Sequence, residues 1–204
     1  MLGDAQFLRF LFLIIFILVQ SSTKQPFSLG AVLMDELRMG DKDYGTLAKL
    51  EEAFDRKDLT YFKTFLQKSK GLPLLLRVHS VCMLEHIGNE EMVGPLCRVL
   101  AEDPSPLTRH EAAFTLGQLG YRSAVPGLVE AMLHDVSPIV RHESAVALSS
   151  IGDDAVVPQL KKAVDDKDED VRNSALIAFE YLSYLRRKRE NISEGVPVKP
   201  KIRL

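Results

Sequence analysis

The sequence predicts an all-α fold, an α-solenoid of stacked helical hairpins that follows an N-terminal hydrophobic segment. The main observation is a repeat, because residues 109–120 align without a gap with residues 141–152, which lie 32 positions further on. A second observation is that the apolar residues of each unit recur at helical spacing. A single unit of this kind cannot bury its apolar face, whereas neighbouring units that stack share one continuous core.

The same register extends to a unit on either side and to a second helix in each unit. Residues 77–79 lie 32 positions before residues 109–111, and residues 172–174 follow residues 141–143 at an offset of 31. Second-helix positions repeat as Val93, Val125 and Val157, and as Leu96, Leu128 and Leu160. Three glycines are predicted to end the first helices with left-handed caps, namely Gly88, Gly120 and Gly152.

The N-terminal segment contains an unbroken apolar run over residues 10–19. This run is shorter than the roughly 20 residues that span a bilayer, but it is typical of the apolar region of a signal peptide. One interpretation is therefore a secretory signal or membrane anchor. The other is that residues 1–33 are extraneous and that translation begins at Met34 or Met39.

The rest of the chain divides into three parts. Residues 34–73 are predicted to form a degenerate capping hairpin, with helices at about 44–54 and 59–70. Residues 74–189 are predicted to hold four repeats, the last of which is a long helix that ends in the basic residues 186–189. Residues 190–204 contain two prolines and no apolar periodicity, which indicates a tail.

Composition and motifs exclude several classes of function. The net charge is −2, so no global basic field indicates a nucleic-acid partner. The two cysteines, Cys82 and Cys97, are too few for a disulfide framework; free buried thiols are favoured over a single bridge. The sequence has no phosphate-binding glycine loop, nucleophile elbow, Cys-x-x-Cys pair or zinc-protease motif.

Two His-Glu pairs occupy the same register of successive repeats, His110-Glu111 and His142-Glu143. They lie beside core positions, where packing has no need for an imidazole followed by a carboxylate. Stacked repeats would place the pairs about 10 Å apart. Imidazole and carboxylate together suit iron, manganese or zinc, and two pairs make half of a di-metal site.

Two simpler interpretations of these pairs remain open. Arg109 and Arg141, which are expected to be structural, could hold the glutamates as surface ion pairs. Alternatively, duplication of one repeat could have copied a His-Glu pair that binds no metal.

Residues 74 to about 187 resemble the short HEAT repeats of the bacterial-lyase type. The features that carry this resemblance are the length of the repeat, the Val-Arg-x-x-Ala-like first helix and the Ala-Val-Pro-x-Leu second helix. The strings 109–119 and 140–152 resemble deoxyhypusine hydroxylase, a HEAT-type di-iron monooxygenase that acts on a modified lysine of translation factor 5A. That family has two halves of four hairpins, and the middle two hairpins of each half carry His-Glu. This chain supplies one half.

The resemblance implies a ligand set, a cofactor and a location. It implies that His110, Glu111, His142 and Glu143 are ligands of Fe2+ in a di-iron centre, with Glu111 and Glu143 catalytic. It also implies a cytoplasmic protein with a protein substrate on its concave face, and a possible homodimer that completes the site. The alternative is a non-catalytic HEAT scaffold that binds a protein partner.

Overall fold

The computed structural model describes residues 39–193, and this part of the chain contains nine α-helices and no strand. The all-α prediction is confirmed. The apolar run at 10–19 and the chain beyond residue 193 lie outside the described residues. None of the helices within 39–193 has the length and apolar character needed to cross a membrane.

The helices pair in sequence as the repeat predicts. The leading hairpin and the first three repeats each contribute two helices, and the described part of the fourth unit is one long helix. In chain order they are α1 Asp41–Asp55, α2 Leu59–Lys68, α3 Leu74–Ile87, α4 Val93–Glu102, α5 Pro106–Leu119, α6 Val125–His134, α7 Pro138–Ile151, α8 Val157–Ala163 and α9 Glu169–Ser193.

The two helices of each repeat belong to two layers that share one core. First helices α3, α5, α7 and α9 pack against each other in order, as do second helices α4, α6 and α8. Equivalent positions of successive repeats carry fully buried leucines, Leu84, Leu116 and Leu148 in the first layer and Leu96, Leu128 and Leu160 in the second. The stacking therefore continues one apolar seam from repeat to repeat.

Two of the three predicted glycine caps are confirmed. Gly120 and Gly152 end α5 and α7 with φ of 73° and 74°, in the left-handed region. The prediction for Gly88 is wrong, because its φ is −66° and its ψ is 154°. Glycine is required there by space, since a Cβ would lie 2.5 Å from the Leu84 carbonyl oxygen and 3.2 Å from the methyl groups of Leu119.

Gly152→Ala is expected to destabilise the protein by about 1 kcal/mol, because only the left-handed backbone opposes a side chain there. No atom lies within 4 Å of the added Cβ. The matched control is Gly45→Ala inside α1, which also meets nothing within 4 Å and should stabilise the helix by about 0.5–1 kcal/mol. Urea unfolding measures both changes. If the two variants changed the free energy of unfolding in the same direction, this explanation would be contradicted.

Gly117 allows α5 and α7 to approach closely, about two helical turns after His110 on α5. A Cβ on Gly117 would lie 2.8 Å from both Cα and Cβ of Ala147. Any side chain at this position would push the two helices apart. The spacing between the two predicted ligand helices is thus set by a glycine facing an alanine.

Candidate metal centre

A ladder of arginine and aspartate side chains fixes the N-terminal ends of the first helices. Arg109 donates from Nε to Asp135 Oδ2 at 2.7 Å and from Nη2 to Asp135 Oδ1 at 2.9 Å. Its Nη1 donates to the backbone carbonyl of Asp103 at 2.9 Å. Arg141 repeats this pattern with Asp166 and the carbonyl of Asp135. The structural role expected for these arginines is confirmed.

The ladder also excludes one interpretation of the His-Glu pairs. Arg109 and Arg141 contact aspartates and backbone carbonyls at the repeat junctions, so these arginines do not hold Glu111 and Glu143 as surface ion pairs. The glutamates are also not on the surface, because Glu111 is 1% and Glu143 8% exposed. The charge that balances these carboxylates must come from another group.

His110 lies between the two buried glutamates. Its Nε2 is 3.3 Å from Oε2 of Glu143, one repeat further on, and its Nδ1 is 3.4 Å from Oε1 of Glu111. The Nδ1 contact is not aligned as a hydrogen bond, so His110 Nδ1 and Glu111 Oε1 are both buried without a hydrogen-bond partner. The structure thus brings three of the four predicted ligands into direct contact across α5 and α7.

The surroundings of His110 favour its charged form. Burial alone lowers the pKa of His110, but the nearby carboxylates of Glu111 and Glu143 outweigh burial and raise the pKa to about 9. At neutral pH the ring therefore carries a positive charge between two negative groups. In the metal-free protein this imidazolium supplies the positive charge itself, and a metal ion that used the ring as a ligand would displace its proton.

His142 is placed apart from this cluster. It is partly exposed, and its Nδ1 lies 2.7 Å from Oγ of Ser174 and 3.4 Å from the backbone carbonyl of Asp170, both on α9. Because a carbonyl can only accept, the Asp170 contact favours a proton on Nδ1. The lone pair of the neutral ring is then on Nε2, the nitrogen that a metal would use.

Cys82 is a site residue that the sequence reasoning missed. Its Sγ on α3 donates to Oε2 of Glu111 at 3.3 Å. Burial, followed by the negative charge of Glu111, raises the pKa of this thiol well above its usual range, so it is a neutral donor. The signal available in the sequence was a thiol at the register where the next repeats carry Phe114 and Val146. Both cysteines are free, as predicted.

The donor types fit a divalent cation, but the side chains are not gathered around one point. Among the described residues no group of three or more His, Cys, Asp or Glu is arranged to hold a metal ion. The observation that supports a metal ion at these residues is that two buried atoms, His110 Nδ1 and Glu111 Oε1, have no hydrogen-bond partner. Nitrogen and carboxylate oxygen are ligands that iron and manganese accept.

The stacked hairpins and their shared core define an α-solenoid repeat protein. A family model described as HEAT repeats matches residues 76–180, and the chain belongs to this family of HEAT-repeat proteins.

Within this family the chain is similar to deoxyhypusine hydroxylases. It is 48% identical over 50 residues to the enzyme of Schizosaccharomyces pombe, covering 24% of this chain and 15% of the relative. It is 41% identical over 56 residues to that of Cryptococcus neoformans, covering 28% of this chain and 15% of the relative. The matched segments thus span only a small part of the curated relatives.

Two solved structures show the same architecture. The structure of human deoxyhypusine hydroxylase in complex with glycerol matches with a TM-score of 0.57 and 32% identity, over 63% of this chain and 44% of that chain. The complex of CpcE and CpcF of phycocyanin lyase from Nostoc matches with a TM-score of 0.54 and 18% identity, over 72% of this chain and 96% of that chain. The second likeness concerns the fold alone. The resemblance inferred from the sequence is confirmed.

Proposed function

We propose that this chain is a deoxyhypusine hydroxylase-like non-haem iron protein that hydroxylates a modified lysine of translation factor 5A. Its iron ligands are His110, Glu111, His142 and Glu143, and a second copy of the chain completes a di-iron centre. The observation that carries this proposal is His110, held between two buried glutamates of successive repeats.

The burial of these carboxylates is the physical argument for a cation. An isolated carboxylate out of water is strongly destabilised unless it is paired and hydrogen-bonded. One imidazolium must serve both Glu111 and Glu143, and Oε1 of Glu111 has no hydrogen bond. A divalent ion would balance the two negative charges and give that oxygen a partner.

The residues have separable roles in this proposal. Glu111 and Glu143 supply the negative charge that selects a divalent cation, and burial keeps water away from them. His142 has its ring oriented by Ser174, as metal-binding histidines commonly are by a second group. When bound, iron would supply the oxygen chemistry that adds a hydroxyl group to the substrate carbon.

The second half of the centre is assigned to a second copy. The structural match spans 44% of the human enzyme, and this sequence has one set of two His-Glu pairs. A two-fold dimer presents the same patch from both subunits, so each would supply one His-Glu half. The substrate would then reach the centre as a protein bound by the solenoid.

The test is hydroxylation of translation factor 5A that carries the modified lysine, with the full chain reconstituted anaerobically with ferrous iron and then given oxygen and reductant. The expected product is heavier than the substrate by one oxygen atom. The double variant His110→Ala, His142→Ala should lose bound iron and activity, whereas the control His134→Ala, an exposed residue at the end of α6, should keep both. Iron bound equally by the double variant would show that the ligands are wrong.

A second candidate function is a non-catalytic protein-binding scaffold, which the exposed apolar face of α9 favours. Four large apolar side chains of this helix are exposed by 40–69%, namely Leu176, Ile177, Tyr181 and Tyr184. Helical spacing places Ile177, Tyr181 and Tyr184 on one face, with acidic Asp170 and basic Lys188 at its opposite ends. Two α9 helices packed antiparallel would pair acid with base, so the partner that this face fits is a second copy.

Metal content separates the two candidates. A scaffold would form a dimer by light scattering that Ile177→Asp converts to monomers, and neither form would bind iron. Gln118→Asp on α5, which is also exposed, is the control that should leave the mass unchanged. A dimer that binds iron would favour the hydroxylase candidate instead.

A further inference from the structure

Each buried glutamate receives one contact from the repeat before it, but the donors differ. Glu143 on α7 is contacted by Nε2 of His110 on α5 at 3.3 Å. Glu111 on α5 is contacted by Sγ of Cys82 on α3 at 3.3 Å. The repeat that contains α3 has no His-Glu pair, because Val78 stands where the next two repeats have histidine. A thiol thus takes the place of an imidazole as the donor.

The two oxygens of Glu111 are therefore not equivalent. Oε2 accepts from the Cys82 thiol, and Oε1 lies 3.4 Å from His110 Nδ1 with no hydrogen bond. Glu111 is 1% exposed, so water does not reach the carboxylate to satisfy or reorient it. The thiol and the imidazole thus contact different oxygens of the same carboxylate.

We propose that Cys82 is a positioning residue for Glu111, which fixes Oε2 so that Oε1 is the oxygen presented to a divalent cation beside His110. This inference rests on the proposed function, because it concerns the same site. Cys82 itself is not a ligand in this arrangement. It acts through the carboxylate, as groups behind metal ligands commonly do.

The test uses cobalt(II), whose absorption spectrum reports its ligands, and the full chain with three single variants. Cys82→Ala should weaken cobalt binding about 10- to 100-fold, the usual effect of removing a group that orients a ligand. Cys82→Ser should retain most of the affinity, because a hydroxyl can also donate to Oε2. Cys97→Ala is the matched control, a free cysteine on α4 that should leave binding unchanged.

The spectrum tells a positioning role from direct ligation. No sulfur-to-cobalt charge-transfer band is expected in the wild-type chain. Such a band, if lost in Cys82→Ala, would make Cys82 a ligand and overturn the proposal. Equal affinity of Cys82→Ala and wild type would overturn it as well, as would a serine variant no better than alanine.

Failure of the proposed function looks different from failure of this inference. If the wild-type chain binds neither cobalt nor iron, the metal centre and the role of Cys82 both fall. If the wild type binds cobalt and His110→Ala does not, but Cys82→Ala binds as wild type, only the role of Cys82 falls. Circular dichroism spectra of all variants check that each is folded before its affinity is compared.

Discussion

Arg109→Met is expected to lower the free energy of unfolding by about 3–5 kcal/mol, the usual cost of removing one partner of a buried ion pair. Asp135 would keep a carboxylate that is 8% exposed and would lose both of its guanidinium contacts. The carbonyl of Asp103 would also lose its donor. Urea unfolding monitored by circular dichroism measures the change.

Two control variants distinguish the loss of this buried ion pair from the loss of a positive charge at any other position. Arg186→Met removes an ion pair with Glu190 in which both side chains are more than half exposed, so its effect should stay below about 0.5 kcal/mol. The double variant Arg109→Met, Asp135→Asn leaves no unpaired charge at this junction, keeps an acceptor for the Ser137 N–H and should recover much of the loss. If Arg109→Met and Arg186→Met cost the same, the ladder does not fix the repeats.

Stability of the metal-free protein is expected to fall by about 3 kcal/mol as the pH rises from about 6 to 10. The pKa of His110 is about 9 in the folded protein against 6.5 as its ordinary value, so the folded state binds this proton more tightly than the unfolded state does. The stabilisation is complete below about pH 6.5 and is lost as the pH rises through 9. Chemical unfolding across this range measures the fall.

His110→Gln should remove the fall between about pH 6.5 and 8.5, because glutamine does not titrate. A smaller fall above about pH 8.5 should remain, because the pKa of the Cys82 thiol is also raised in the folded protein. His134→Gln, which changes an exposed histidine at the end of α6, should leave the pH profile of the wild type intact. A wild-type profile that is flat between pH 6.5 and 10 would mean that His110 is not held as a cation between Glu111 and Glu143.

The repeat and its helices could be predicted from the sequence because they depend on periodic apolar burial. The register of 32 residues places Leu84, Leu116 and Leu148 in one core, and each is fully buried. Gly88 shows the limit of this reasoning. It shares the register of Gly120 and Gly152, but its backbone is extended. Glycine is needed there because a side chain would collide with the Leu84 carbonyl and Leu119, which the register does not show.

The candidate site could be predicted in part, because register alone does not say which side chains meet. In the structure, the histidine of one repeat contacts the residue that comes directly after the aligned position of the following repeat. His110 contacts Glu143 in this way, and His142 contacts Ser174. The two pairs therefore differ, although the sequence presents them alike. Cys82 was missed because its contact with Glu111, 29 residues further along the chain, depends on how successive repeats pack.

The most direct test of the metal centre is the iron content of the full chain, reconstituted anaerobically with ferrous iron and freed of loosely bound metal, with its mass measured by light scattering. The account predicts a dimer with about one iron per chain, because two His-Glu halves share a di-iron centre. It also predicts loss of that iron in His110→Ala. A protein without iron, or one whose iron is unchanged in His110→Ala, would contradict the account and leave the pairs as a repeated feature of the solenoid.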